Sequence, residues 1–94
     1  MKLVVIESPF ANGRDSRLLA RNMAYLRRAL RDSLERGEAP FASHAIFTQE
    51  GVLDDHVAHE RKLGIEAGLA WGRKADLVAV YADLGITHGM EQGI

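Results

Sequence analysis

The sequence predicts an α/β fold, a three-layer Rossmann- or flavodoxin-like domain with a small parallel sheet. Apolar runs at 2–7 and 76–81 are short and rich in valine, as is typical of strands buried on both faces. Between them the apolar spacing becomes helical, and alternation of strand and helix favours a parallel sheet with right-handed crossovers. We therefore expect the order β-α-β-α-β-α, with the first strand in the middle of the sheet.

Length and composition predict one domain, residues 1–94, and exclude several kinds of function. The net charge of −1 gives no overall attraction to nucleic acid or to an anionic membrane. Cysteine is absent, which excludes disulfides and thiolate chemistry. We find neither a signal peptide nor an apolar segment of the ~20 residues that a membrane span needs. We expect a cytoplasmic protein with no nucleic-acid or membrane partner.

The first strand, 2–7, leads through a loop at 8–16 into a long helix from Asp15 to Arg36. Leucine and methionine recur there at steps of three and four residues, and Gly37 stands where a helix would end. The other face of this helix is basic, and it is either a solvated surface or a surface for an anion or a partner. Its arginines are Arg17, Arg21, Arg27, Arg28, Arg31 and Arg36.

The second half of the chain predicts three further elements and the start of a fourth. "SHAIFT" at 43–48 is expected to be the second strand, and a second helix is expected from about Asp55 to Arg73. The third strand follows at 76–81, and "HGMEQGI" should open a third helix that is truncated. Either the chain has lost its tail or a neighbouring subunit covers the gap.

Three glycines, Gly64, Gly68 and Gly72, line one face of the second predicted helix. Each glycine inside a helix costs roughly 0.8–1 kcal/mol relative to alanine, so a close backbone approach should offset that cost. The helix packs closely either on the protein's own sheet or on a second copy of itself. We expect a homodimer or a larger homo-oligomer with this helix at or near the seam.

Candidate site residues follow from the rule that ligands bind outside the carboxyl ends of parallel strands. Asn22 and Tyr25 share a face of the first helix and can meet this edge or complete the core. The glycines after the third strand, with a helix start, suit a phosphate or another anion. The candidates at the strand ends are Glu7, Ser8, Pro9 and Phe10, then Thr48, Gln49, Glu50, Asp54 and Asp55, then Asp83, Gly85, Thr87, His88 and Gly89.

The stretch "YADLGITHGMEQGI" at 81–94 is similar to the carboxyl-end motif of the nucleoside 2-deoxyribosyltransferase-like superfamily. Gly89, Met90, Glu91 and Gly93 reproduce a Gly-Met-Glu-x-Gly pattern of several members. "VIESPF", "NMAYLRRAL", "GEAPFASH" and "GIEAGLAW" resemble its small phage and bacterial branch. The resemblance implies that Glu91 is the nucleophile that attacks the anomeric carbon of the sugar. In a second register of the motif, Gly93 takes that place.

Covalent glycosidic chemistry also needs an acid or an orienting partner, and Asp83, Asp54, Asp55 and Glu7 are the candidates. Asp54 and Asp55 can instead stabilise a helix start. The histidines form no zinc signature, so we expect no metal and no cofactor.

The sequence thus predicts binding of a nucleoside or nucleotide-like ligand, with N-glycosidic cleavage or deoxyribosyl transfer through Glu91. Two alternatives stay open: a non-catalytic binder of a nucleotide-derived signal, and a structural oligomeric domain of phage type.

Overall fold

The computed structural model of the chain describes residues 1–9, 16–84 and 90. Strands and helices alternate through most of this part of the chain. In chain order the elements are β1 (Leu3–Glu7), α1 (Ser16–Glu35), β2 (Ala39–Phe41), α2 (Ser43–Ile46), α3 (Ala58–Gly72) and β3 (Leu77–Val80). Among these described helices, none is both long and apolar enough to cross a bilayer.

The three strands form one parallel sheet in the order β2-β1-β3. Val5 in β1 is the register partner of Phe41 in β2 and of Val78 in β3. The predicted α/β fold, its small parallel sheet and its central first strand are confirmed. The predicted third helix lies outside the described residues except for Met90, which is helical and buried.

The predicted second strand, 43–48, is wrong. β2 lies four residues earlier, at Ala39–Phe41, and Ser43–Ile46 forms the short helix α2. A short apolar run does not by itself distinguish a strand from a buried helical turn. Here Ala42 and Ala45 reach the core from one side of that turn. Pro40 has no N–H group to donate, which an edge strand such as β2 tolerates.

Strand β1 and helix α1 together supply most of the described core. Val4 and Ile6 in β1 pack against Leu26 and Ala29 of α1, and all four are buried. The predicted stripe of leucine and methionine is confirmed in its middle, where Leu26 is buried and Met23 and Leu30 pack against the core. Its ends, Leu19 and Leu34, are exposed. The buried positions of α1 are Asn22, Tyr25, Leu26, Ala29 and Ser33.

Gly37 ends α1 as predicted, with a positive φ of 81°. The N–H of Glu38 donates to the carbonyl of Ser33, and the N–H of Gly37 donates to that of Leu34. This pair of bonds is the Schellman motif, which satisfies carbonyls that the helix end leaves free.

The glycine face of α3 approaches α2 and its following loop, which is neither of the two expected arrangements. A Cβ at Gly64 would lie 3.3 Å from Leu53, and one at Gly68 would lie 2.7 Å from Ser43 Oγ. A Cβ at Gly72 would meet none of the described residues within 4 Å. Close approach within one chain therefore accounts for two of the three glycines, and the expected homo-oligomer stays a prediction.

Candidate functional site

The carboxyl ends of β1 and β3 lie side by side. Glu7, the last residue of β1, is the register partner of Val80, and its carbonyl accepts the N–H of Tyr81 at 2.9 Å. The chain continues from these ends into Ser8 on one side and towards Asp83 on the other. The sheet thus places Ser8 and the first residues after β3 at one edge.

Tyr25 of α1 is bonded twice to Asp83, the second residue after Tyr81. Its hydroxyl donates to Asp83 Oδ2 at 3.1 Å, and the N–H of Asp83 donates back to the hydroxyl oxygen at 3.2 Å. Burial raises the pKa of Tyr25 above its ordinary value, and the Asp83 carboxylate adds to the rise. The tyrosine therefore stays a hydrogen-bond donor at neutral pH and joins α1 to the segment after β3.

Asn22 lies one turn before Tyr25 on α1 and is 1% exposed. Its side-chain oxygen accepts from Arg21 Nη2 at 3.2 Å. The guanidinium carbon of Arg28 lies 5.7 Å from the centre of the Tyr25 ring. A buried polar residue is more informative than an exposed one, because burial of polar groups costs free energy unless they are bonded. Two arginines therefore flank a polar part of α1 at the carboxyl edge.

Glu7 is half-buried and lies on the same face of β1 as Val5, by strand alternation. Within residues 1–9, 16–84 and 90, no side chain forms a hydrogen bond or an ion pair with its carboxyl group. Burial raises the pKa of Glu7 to about 7. A carboxyl group that titrates near neutral pH can both donate and accept a proton there.

Ser8 is buried next to Glu7, and its Oγ lies 3.0 Å from Nε2 of His44. Burial lowers the pKa of His44 to about 4, so the imidazole is neutral at pH 7. His44 was missed as a site residue because its segment was assigned to a strand. The two residues are 36 positions apart. The sequence contains one indication of this role: His44 comes three residues after the segment "APF", which is β2 in the structure, so it lies just beyond the end of a strand.

A cavity of about 570 Å³ lies between the first turn of α1 and the connection from α2 to α3. Its volume is in the range of small-molecule sites. Its wall combines apolar side chains with carboxylates that sequence analysis had placed after the second strand. The lining residues are Leu19, Thr48, Glu50, Gly51, Val52, Leu53, Asp54, Asp55, His56 and Glu60.

The carboxylates of this cavity also organise the start of α3. Asp55 pairs with Arg61 at 3.0 Å, and Glu60 accepts the N–H of Asp54 at 3.2 Å. The side chain of Asp54 accepts the N–H of His56 at 2.9 Å. These contacts favour the helix-start role of Asp54 and Asp55 over a catalytic one.

Apart from the candidates after the predicted second strand, the predicted site residues fall into three groups. Tyr25 and Asp83 are brought into direct contact, with Asn22 beside them. Ser8 and Pro9 are buried after β1, and no described contact joins the Glu7 carboxyl to Tyr25 or Asp83. The remaining predicted site residues lie outside the described residues: Phe10, Gly85, Thr87, His88, Gly89 and Glu91.

Three parallel strands with polar residues at their carboxyl ends define a small α/β domain of the class in which ligands bind at that edge. The model of one protein family, described as "Domain of unknown function (DUF7768)", matches residues 2–94. The chain belongs to this family. Neither a curated protein nor a solved structure matches it. The family description carries no activity, so the resemblance to the nucleoside 2-deoxyribosyltransferase-like superfamily stays a prediction.

Proposed function

We propose that the chain binds a nucleoside or nucleotide-like ligand at the carboxyl edge of its sheet. The observation that carries this proposal is the position of the buried polar residues. Of the three that are buried in the described part of the chain, Ser8 and Asn22 lie at this edge. The third, Ser33, donates to Glu38 at the other end of α1 and lies away from this edge. The half-buried Glu7 adds a carboxyl group at the same edge.

The groups at this edge suit the polar atoms of a nucleoside. The Asn22 amide, the Tyr25 hydroxyl and the Asp83 carboxylate supply donors and acceptors, as sugar hydroxyls and base edges require. The cavity of about 570 Å³, whose wall includes Leu19 one turn before Asn22 on α1, has the size expected for such a ligand. The resemblance of 81–94 to nucleotide-processing proteins selects deoxynucleosides and their monophosphates as ligands to test. The compartment that fits this proposal is the cytoplasm.

Cleavage of the N-glycosidic bond is a second candidate function, and Glu7 is the observation that favours it. The Glu91 carboxylate, by resemblance, would attack the anomeric carbon as the bond to the base breaks. The departing base needs a proton, and a carboxylic acid with a pKa of about 7 can supply it at neutral pH. Water would then release the sugar from Glu91, with Glu7 accepting the proton.

Binding is tested by calorimetric titration of deoxynucleosides and deoxynucleoside monophosphates into three proteins. Tyr25→Phe removes the hydroxyl bonded to Asp83 and should weaken binding about tenfold. Tyr81→Phe is the matched control, since its hydroxyl also donates to a carboxylate, Asp32, at 2.8 Å. That contact is seven residues further along α1 from Tyr25, so the control should bind as the wild type does. Equal effects of the two variants would contradict the assignment of the site.

Catalysis is tested by chromatography of the free base after incubation with the same ligands. Glu91→Gln and Glu7→Gln should each retain binding and abolish release, because one removes the nucleophile and the other the acid. If the wild type binds these ligands but releases no base, the protein is a non-catalytic binder. If the wild type neither binds nor cleaves them, the alternative of a structural domain is favoured.

A homodimer or larger assembly is part of the same proposal. The side chains of Leu63 and Trp71 on α3 are each 55% exposed. Exposed apolar side chains on one helix suit burial against another copy. Light scattering at micromolar concentration should give at least twice the mass of the chain, and the mass of a monomer would refute this.

A further inference from the structure

We infer that Arg21 and Arg28 bind the phosphate of the ligand, so that the chain prefers a nucleoside monophosphate to the nucleoside. This inference rests on the proposed function. It adds the substrate class and the two residues that would select it.

The two arginines occupy the same face of α1 and flank Asn22 and Tyr25. They are seven residues apart, two helical turns, which separates their backbones by about 10.5 Å along the axis. Arg21 contacts the buried Asn22, and Arg28 lies over the ring of Tyr25. Both side chains are exposed, so their guanidinium groups can reach a ligand from either end of this polar segment.

The charges of Arg21 and Arg28 are available, as is that of Arg27, whereas two arginines at and just beyond the end of α1 are paired. Arg31 forms an ion pair with Glu35 at 2.6 Å, and Arg36 forms one with Asp32 at 2.9 Å. Among the described residues, neither Arg21 nor Arg28 has a carboxylate partner. A guanidinium group without a carboxylate keeps the planar set of donors that matches a phosphate.

The charges around the cavity favour this placement. The cavity is lined by Glu50, Asp54 and Glu60, among other residues. A phosphate is repelled from those carboxylates and attracted to α1, which leaves the cavity to the uncharged part of the ligand.

The test compares the affinity of a deoxynucleoside monophosphate with that of its nucleoside for the wild type, Arg21→Gln and Arg28→Gln. Arg27→Gln is the matched control, since Arg27 is an exposed arginine of the same helix on a different face. The wild type should bind the nucleotide at least about tenfold more tightly. Arg21→Gln and Arg28→Gln should each weaken nucleotide binding about tenfold and leave nucleoside binding unchanged. The control should alter neither affinity.

The outcomes separate this inference from the proposed function. Equal affinity of the wild type for nucleoside and nucleotide overturns the inference and leaves the proposed function standing. Binding of neither overturns both. An equal loss in Arg27→Gln overturns the inference too, because it indicates general attraction to a basic helix. If inorganic phosphate alone binds as tightly as the nucleotide, the arginines form a phosphate site, and the preference for a nucleotide is refuted.

Discussion

The two long helices connect strands of the same sheet but are held in place differently. α1 buries five residues, and Leu26 and Ala29 pack directly on the central strand. α3 buries none of its residues and makes its close approach to α2, where Gly68 meets Ser43. The position of α1 is therefore fixed by the apolar core, whereas α3 is positioned largely through a four-residue helix.

This difference divides the candidate site. Asn22 and Tyr25 lie on the helix that the core holds, so their positions relative to β1 and β3 are well defined. The cavity wall belongs to the connection between α2 and α3, which has fewer buried contacts. Such a site suits a ligand whose polar end is recognised by the fixed residues of α1. The other end of the ligand can then vary, because the cavity wall has fewer buried contacts to hold it in one position.

The largest expected contrast compares one leucine from each helix. Leu26→Ala removes a fully buried side chain and should lower the free energy of unfolding by about 2–5 kcal/mol. Leu63→Ala on α3 removes a side chain that is 55% exposed and should change it by no more than about 0.5 kcal/mol. Urea denaturation of both variants measures this. Comparable losses would show that α3 is buried against something else, such as a second copy.

The pH dependence of stability tests two partly buried groups near the end of β1, Glu7 and His44, which act in opposite directions. The pKa of Glu7 is raised from 4.5 to about 7, so its contribution falls as the pH rises through that range. The pKa of His44 is lowered from 6.5 to about 4, so its contribution is present above pH 6.5 and is lost as the pH falls towards 4. Between pH 4.5 and 6.5 the two largely cancel.

Single variants should separate the two contributions. Glu7→Gln leaves the His44 contribution, so stability should rise by about 2–3 kcal/mol from pH 4 to pH 7. His44→Gln leaves the Glu7 contribution, so stability should fall over the same range. This fall should be about 1–2 kcal/mol. It is smaller than the change due to His44 because Glu7 is partly exposed to solvent, which weakens the effect of burial. Urea midpoints at a series of pH values give both slopes. Parallel curves for the two variants would contradict these pKa assignments.

Features set by local sequence were predictable, and features set by distant contacts were not. The end of α1 at Gly37 follows from the conformational freedom of one glycine in the left-handed region. The strand in "SHAIFT" was wrong because a short apolar run fits a helical turn equally well. Asn22 and Ser33 can lie on the buried face of α1 because each is hydrogen-bonded there. The spacing of apolar residues in the sequence does not predict these hydrogen-bond partners. Tyr25 was expected either to meet the carboxyl edge or to complete the core, and it is buried and bonded to Asp83. The bond between Ser8 and His44 depends on where β2 ends.

Gly68 should be the least replaceable glycine of α3. An alanine Cβ there would lie 2.7 Å from Ser43 Oγ and 3.2 Å from Ser43 Cβ. Rotation of the serine relieves the first contact but not the second, so Gly68→Ala should cost about 1 kcal/mol despite the better helix propensity of alanine. Gly68→Ala combined with Ser43→Gly should recover part of the loss, because the second change removes the obstructing atoms. Chemical denaturation of the single and double variants checks this, and a stabilising Gly68→Ala would refute the close packing of α2 on α3.

Gly72→Ala is expected to have the smallest effect and the opposite sign. Apart from its chain neighbours and the backbone of its own helix, no described residue lies within 4 Å of the added Cβ, and Gly72 does not have a positive φ. The substitution should therefore stabilise the fold by about 0.5 kcal/mol, since alanine restricts the unfolded chain and favours the helix.

Thermal denaturation at two protein concentrations, together with light scattering, measures stability and association together. If Gly72→Ala lowers the midpoint and the mass, the space beside Gly72 is filled by another copy, and α3 lies at the seam of a homo-oligomer. If it raises the midpoint and leaves the mass unchanged, that face of α3 is open, and two glycines of the three serve the contact with α2 and its loop.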